Sequence, residues 1–117
     1  YARRNLGKVL VRLGLRAEGA EYLAASHRGF RHYGDPVNQR LSRAEEIAAR
    51  LEGASAEELA AWHGELEDMA AFFAERGRAS LGAQVDAVRA RLLVRQGAEA
   101  LPLAVGDLRA TGGGGLP

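Results

Sequence analysis

The chain has 117 residues, the size of one ordinary domain, and its 47% apolar and 26% charged residues allow a core and argue against disorder. Ala occurs 23 times and Leu 16 times, whereas Val, Ile and Thr together occur 9 times, which favours helix and excludes a substantial sheet. The absence of cysteine excludes disulfides, thiolate catalysis and cysteine-based metal sites.

Charge is segregated along the chain, although the net charge is only +1. Residues 1–33 carry seven cations and two acids, residues 34–77 carry four and ten, and residues 78–117 carry five and three. This basic–acidic–basic order predicts one of two arrangements. The charges neutralise each other between packed helices, or a basic face remains at one end.

Two helices are predicted before the first proline. In the first, apolar residues recur at intervals of three and four and indicate the side that faces the core: Leu6, Val9, Leu10 and Leu13. Gly14 is expected to end this helix. The second helix is predicted over residues 16–33, and Gly34-Asp35-Pro36 ends it. One side of this helix carries a stripe of apolar and small residues: Ala20, Leu23, Ser26, Phe30 and Tyr33.

Two further helices follow in the acidic part. The third covers residues 37–51 and ends at Gly53, with the apolar stripe Val37, Leu41, Ala44, Ala48 and Leu51. Ser55 and Glu58 have the spacing of a capping box and start the fourth helix. It ends at Gly77 and carries the largest apolar residues: Leu59, Trp62, Leu66, Met69 and Phe73.

The last third of the chain predicts two more helices and a tail. A fifth helix over residues 79–96 is expected to end at Gly97, and a sixth over residues 98–110 has Pro102 near its start. The glycine-rich residues 112–117 predict a flexible tail or linker. The chain is therefore expected to be all-α, with about six helices in antiparallel hairpins.

An internal similarity suggests that these hairpins form an array. Residues 8–14 (KVLVRLG) and 91–97 (RLLVRQG) share Leu-Val-Arg and the final Gly at an offset of 83 residues. Two hairpins of about 40 residues fill that offset. The domain at residues 1–111 then divides into hairpins 2–34, 37–77 and 78–111, unless the similarity is due to chance.

The first hairpin resembles the tetratricopeptide repeat (TPR) family. The resemblance lies in a Leu-Gly pair, a turn glycine and small residues on the second helix: Leu6, Gly7, Leu10, Gly14, Gly19, Leu23 and Ser26. It covers residues 2–35 best, and the ending 30–35 is similar to bacterial members found in regulators and signalling proteins. It implies a short right-handed TPR-like solenoid in which Gly7, Gly19 and Ser26 let helices approach closely.

No residues suggest catalysis or a cofactor, and we expect neither an enzyme nor a metal site. His27 and His32 are five residues apart, which does not suit joint ligation from one helix face, and His63 with Glu67 is typical of a helix-surface pair. We read the acids around Glu65 as a solvated face rather than as an acid/base pair. Without a signal-peptide pattern or an apolar run of about 20 residues, we expect a cytoplasmic protein without membrane contact.

The best candidate site is a basic stripe. Arg4, Lys8 and Arg12 are spaced by four along one side of the first helix, and Arg91 and Arg95 repeat the last two of them in the third hairpin. In the TPR family the first helix of each hairpin lines a concave groove. The resemblance therefore implies a basic groove that binds carboxylates. Pairing of these cations with Glu45, Glu46 or Glu52 is the alternative.

These features predict an interaction module in a larger protein. Its expected partner is an acidic or C-terminal peptide segment, another domain of the same parent chain or a further copy. The alternative is a helical nucleic-acid-binding domain that uses the arginine-rich first helix: Arg3, Arg4, Lys8, Arg12 and Arg16. The low net charge and the lack of a helix-turn-helix or zinc signature argue against it.

Overall fold

The computed structural model describes the backbone of residues 2–110 and the side chains of residues 2–98. This part of the chain forms five helices and no strand, so the prediction of an all-α fold is confirmed. The helices are α1 (Ala2–Arg12), α2 (Arg16–His32), α3 (Pro36–Arg50), α4 (Ala56–Glu75) and α5 (Ala79–Ala110). The predicted tail at residues 112–117 lies outside the described residues.

The predicted helix boundaries in the first two thirds of the chain are confirmed. The four glycines that follow α1 to α4 adopt positive φ angles, the left-handed conformation that closes a helix: Gly14, Gly34, Gly53 and Gly77. At the start of α4, the Ser55 hydroxyl accepts a hydrogen bond from the Glu58 amide (3.1 Å), and the Glu58 carboxylate accepts one from the Ser55 amide (3.0 Å). This is the predicted capping box.

The prediction of about six helices is wrong, because α5 continues through Gly97 and Pro102. Gly97 does not have the positive φ angle of the four glycines that follow α1 to α4. A glycine inside a helix costs only about 1 kcal/mol relative to alanine, so it does not by itself end a strongly helical segment. The two segments predicted over 79–96 and 98–110 are one continuous helix.

The helices pack in an order that follows the chain only in part. The backbone of α2 lies close to both α1 and α3, α5 lies close to both α4 and α3, and α3 comes near α4 at few positions. A large core joins α3, α4 and α5 and contains every residue of the predicted α4 stripe. A smaller cluster joins α1, α2 and α3: Val11, Ala20, Leu23 and Ala49.

The predicted core side of α1 is wrong. Leu6, Val9 and Leu13 are 44%, 47% and 70% exposed, while Gly7 is buried. Gly7 and Gly19 face each other so closely that a Cβ on either would lie within 3 Å of the other's carbonyl oxygen. A helix pair approaches most closely where side chains are smallest, and here that contact turns the leucines outward.

A chain of ion pairs joins α2, α3 and α4. Glu46 is buried on α3 and pairs with Arg43 and Arg50 of the same helix, each at 3.0 Å. Arg43 also donates two hydrogen bonds to Glu65 on α4 (2.8 and 3.0 Å), and Arg50 contacts Glu21 on α2 (3.2 Å). The hydrogen bonds of Arg43 to Glu65, and next its contacts with Glu46, raise the pKa of Arg43. Two acids of the middle segment, Glu46 and Glu65, are thus neutralised within the fold.

Candidate functional site

An open cleft of about 260 Å³ lies where α1, α2, α3 and α5 meet. We call it the basic cleft, because its wall carries four cations and a single acid: Lys8, Arg12, Arg16, Arg91 and Glu45. Its floor is apolar and small: Val11, Leu23, Ala48 and Ala49. The tight contact between α1 and α2 orients Lys8 and Arg12 toward α3 and α5, while the alanines of α3 leave the space that forms the cleft.

Three of the five predicted groove residues meet in this cleft. Lys8 and Arg12 come from α1, and Arg91 comes from α5, 79 residues after Arg12. Lys8 is half-buried, and the other two are exposed. Lys8 and Arg91 occupy equivalent positions in the two similar sequence segments, and in the structure both line the wall of the basic cleft.

Arg4 lies beside the basic cleft rather than in its lining. Its guanidinium donates hydrogen bonds to both carboxylate oxygens of Glu45 (2.7 to 3.2 Å) and to the side-chain oxygen of Asn38 (3.2 Å). Lys8 reaches the same carboxylate only at 3.9 Å. Arg4 therefore follows the alternative of internal pairing, and its pairing with Glu45 neutralises the one acid of the cleft.

Arg95 is the fifth predicted residue, and it lies outside the lining of the cleft. It is half-buried on α5, one turn beyond Arg91. Its Nε atom is shielded from solvent and has no hydrogen-bond partner among the described residues. The structure therefore separates Arg95 from the three predicted cations that line the cleft, Lys8, Arg12 and Arg91.

Arg16 is a cleft residue that the groove prediction omitted. It begins α2 and pairs with Glu52 in the loop after α3. The sequence does contain a signal, because Arg4, Lys8, Arg12 and Arg16 continue one four-residue spacing. The break after Arg12 hides that signal, since the spacing places residues on one face only within a continuous helix.

The basic cleft has the chemistry of a carboxylate site beside an apolar pocket. Arginine binds carboxylates through two parallel hydrogen bonds, and lysine adds a compact point charge. Lys8, Arg12 and Arg91 supply both kinds of group around a floor that accepts an aliphatic side chain. The arrangement suits a segment that places an acidic side chain or a terminal carboxylate next to an apolar residue.

A larger depression of about 400 Å³ lies next to the cleft, where α2 meets the loop between α3 and α4. Its charged side chains contact one another or structural partners: Arg16 pairs with Glu52, Arg50 pairs with Glu21 and Glu46, and Glu58 belongs to the capping box. This depression therefore offers an anion or a cation much less net charge than the basic cleft does.

Two of the three histidines, His27 and His63, have polar partners within the fold. His63 Nδ1 lies 2.9 Å from the Glu67 carboxylate one turn further on, and His27 Nδ1 lies 3.2 Å from the backbone oxygen of Gln39. Within the described part of the chain, no three His, Asp or Glu side chains are grouped as metal ligands would be. In the same part, no helix is long and apolar enough to cross a bilayer.

The two adjacent phenylalanines, Phe72 and Phe73, face different neighbours. Phe73 is fully buried in the large core. Phe72 is half-buried and stacks against the guanidinium groups of Arg40 on α3 and Arg76 after α4, at 3.7 and 3.6 Å from its ring centre. Burial and the charge of Arg76 lower the pKa of Arg40. This cluster braces α3 against the end of α4.

Comparison of the chain with protein-family models, with curated proteins and with solved structures finds no match.

Proposed function

We propose that the protein is an interaction module whose basic cleft binds an acidic or C-terminal segment of another protein or of a neighbouring domain. The observation that carries this proposal is the convergence of Lys8, Arg12 and Arg91 from two distant helices on one small apolar floor. The single acid there, Glu45, is already bound to Arg4. The wall therefore keeps a surplus of positive charge for a partner.

We further propose that the helices form a TPR-like solenoid and that the module acts in the cytoplasm as part of a larger regulatory protein. The close contact of Gly7 with Gly19 supports the first part, because TPR hairpins rest on small residues at such positions. The parallel placement of Lys8 and Arg91 supports a repeated use of the helices that carry them. Determining the structure and binding of the parent protein tests this proposal.

Fluorescence anisotropy with two labelled peptides tests the cleft. Both peptides contain leucine flanked by glutamates, and one ends in a free carboxylate while the other ends in an amide. We expect saturable binding to the full chain that weakens as salt rises, since exposed charge contacts are screened over about 8–10 Å at physiological ionic strength. Stronger binding of the free carboxylate would identify a C-terminal segment as the natural ligand.

A charge-matched pair of variants makes the test specific. The cleft variant changes Lys8, Arg12 and Arg91 to Glu, and the control variant makes the same change at three exposed arginines without an ion pair among the described residues: Arg28, Arg31 and Arg78. We expect loss of binding in the cleft variant only, with the same helical circular dichroism in both. An equal loss of peptide binding in both variants would refute a specific cleft, because net charge alone would then explain the binding.

The alternative, nucleic-acid binding, makes a different prediction in the same assay. It needs the cations of α1 and the start of α2 to reach one phosphate backbone, but Arg4 contacts Glu45 and Arg16 contacts Glu52. Labelled duplex DNA would then bind with a steep dependence on salt, because bound phosphates release counterions. Binding of DNA more tightly than of the acidic peptides would favour this alternative.

A further inference from the structure

The α1/α2 hairpin has a second surface, on the side away from α3, that is apolar and uncovered. We call it the outer face and define it by its apolar and small residues: Leu6 and Val9 on α1, Leu13 just after α1, and Tyr22, Ala25, Gly29 and Tyr33 on or just after α2. The large side chains are 41% to 85% exposed. Large apolar side chains that are exposed together mark a candidate binding surface.

The geometry of the outer face suits a helix. Each of its two stripes follows helical spacing along its own helix. A groove of about 300 Å³ lies at one end of the α2 stripe, with Ala25, Gly29, Phe30 and Tyr33 in its wall and Arg3 at its edge. Gly29 leaves free space, because a Cβ built there would meet nothing within 4 Å.

Charge determines which kind of helix fits. Of the seven cations in residues 1–33, four line the basic cleft or pair with Glu45, which leaves Arg3, Arg28 and Arg31, and α1 itself contains no acid. Arg3 and Arg28 are exposed and form no ion pair with the described residues. Two such hairpins placed face to face would repel each other. The outer face therefore requires an acidic occupant.

Helix α4 of a second copy meets that requirement. It contains six acids and neither Lys nor Arg. Its solvent side has small residues at its centre, Ala60, Gly64 and Ala71, and carries exposed acids that form no ion pair within the described part: Glu57, Asp68 and Glu75. Leucine and tyrosine side chains pack well against such a small-residue surface, because the two helices can then approach closely.

We infer that the outer face of one copy binds the acidic solvent side of α4 in a second copy. The two surfaces differ and lie on separate parts of one molecule, so the contact is head-to-tail and each copy can bind two others. This inference does not depend on the basic cleft, which lies on the opposite side of α1 and retains its own ligand. Self-association would therefore arrange several basic clefts along one assembly.

Sedimentation velocity of the full chain tests the inference. We expect a mass above that of one chain that rises with protein concentration and falls when the NaCl concentration increases from about 50 to about 500 mM, because the contact joins opposite charges. A single species with the mass of one chain at every concentration would overturn the inference.

Two variants and their mixture test the head-to-tail arrangement. Leu13→Glu adds an acid to the outer face, and Ala71→Arg adds a large cation to the solvent side of α4. Both positions are exposed, so the fold should persist. We expect each variant alone to associate at least about tenfold more weakly, as for a central interface position. A mixture of both should form a complex that stops at two chains, because each variant keeps one intact surface.

Matched controls and contrary results follow from the same design. Val94→Glu and Ala83→Arg place the same charges at exposed positions of α5 and should associate like the original chain. Loss of association in these controls would overturn the inference, because it would assign the contact to α5. Normal association of Ala71→Arg, or failure of the mixture to restore a two-chain complex, would also overturn it.

Discussion

The substitution Gly19→Ala tests the contact between α1 and α2 that orients the whole first hairpin. A Cβ at this position would lie 2.5 Å from Cγ2 of Val11, 2.8 Å from the backbone oxygen of Gly7 and 3.0 Å from the backbone nitrogen of Val11. The valine methyl group could rotate away, but the two backbone atoms can move only if the helices separate. The added methyl group therefore has no low-cost position.

The size of the effect follows from two opposing contributions. Overpacking at a site that cannot yield costs about 1–3 kcal/mol. Replacing glycine by alanine within a helix stabilises it by about 0.5–1 kcal/mol when space is free. Gly29 provides that reference on the same helix, since a Cβ there meets nothing within 4 Å. Both variants gain the alanine contribution, so their unfolding free energies should differ by the overpacking cost of about 1–3 kcal/mol, with Gly19→Ala the less stable of the two.

Urea unfolding followed by circular dichroism measures this difference. The experiment is run at low protein concentration, so that self-association does not contribute to the unfolding free energy. We expect a lower midpoint for Gly19→Ala and a higher one for Gly29→Ala, with similar slopes. If Gly19→Ala were as stable as Gly29→Ala, the close approach of Gly7 and Gly19 would be wrong, and with it the outward orientation of the α1 leucines.

Two further predictions concern the core and a helix cap. Leu66 is fully buried in α4, so Leu66→Ala should lower the unfolding free energy by about 2–5 kcal/mol, and no effect in urea unfolding would show that this side of α4 faces solvent. Asp35 caps α3 by accepting hydrogen bonds from the side chain (2.9 Å) and the backbone (3.1 Å) of Asn38, which lower its pKa below the ordinary 3.8. Asp35→Ala should lower the unfolding free energy by about 0.5–2 kcal/mol at neutral pH. Thermal unfolding should show that this difference shrinks as the pH falls from 3.8 through the lowered pKa of Asp35, because the carboxylate is then protonated in the original chain. A difference that stays constant down to the lowest pH would contradict this role of the carboxylate.

The helix content and most boundaries could be predicted because they depend on local chemistry. Gly14, Gly34, Gly53 and Gly77 end helices through a conformation that glycine adopts easily, and Ser55 with Glu58 forms a cap from residues three apart. Gly97 shows the limit of this reasoning. The same residue type ends four helices and lies inside a fifth, so the presence of a glycine does not by itself decide where a helix ends.

The orientation of α1 could not be predicted from its apolar stripe. Periodicity identifies an apolar side of a helix but does not show which neighbour covers it. Gly7 and Gly19 decided the contact by allowing the closest approach, and this left Leu6 and Leu13 exposed. Small residues at matching positions of the two helices were a better indication of which sides of α1 and α2 meet.

The candidate site was predictable in part. The repeated sequence placed Lys8 and Arg91 in equivalent positions, and both line the basic cleft. The bond between Arg4 and Glu45 joins residues 41 positions apart, and no local pattern reveals it. Segregated charges therefore led to both outcomes at once: some cations pair within the fold, and others remain available on the cleft wall.

The measurement that tests the proposed function most directly is a nitrogen-15 NMR titration of the full chain with the acidic, leucine-containing peptide. If the basic cleft is the binding site, the amide signals that shift should belong to its wall and floor, with Lys8, Arg12, Ala48 and Arg91 among them. Signals from the solvent side of α4, such as Gly64 and Ala71, should stay in place. Shifts confined to other surfaces, or no shifts at saturating peptide, would contradict the proposal that this cleft is where the protein meets its partner.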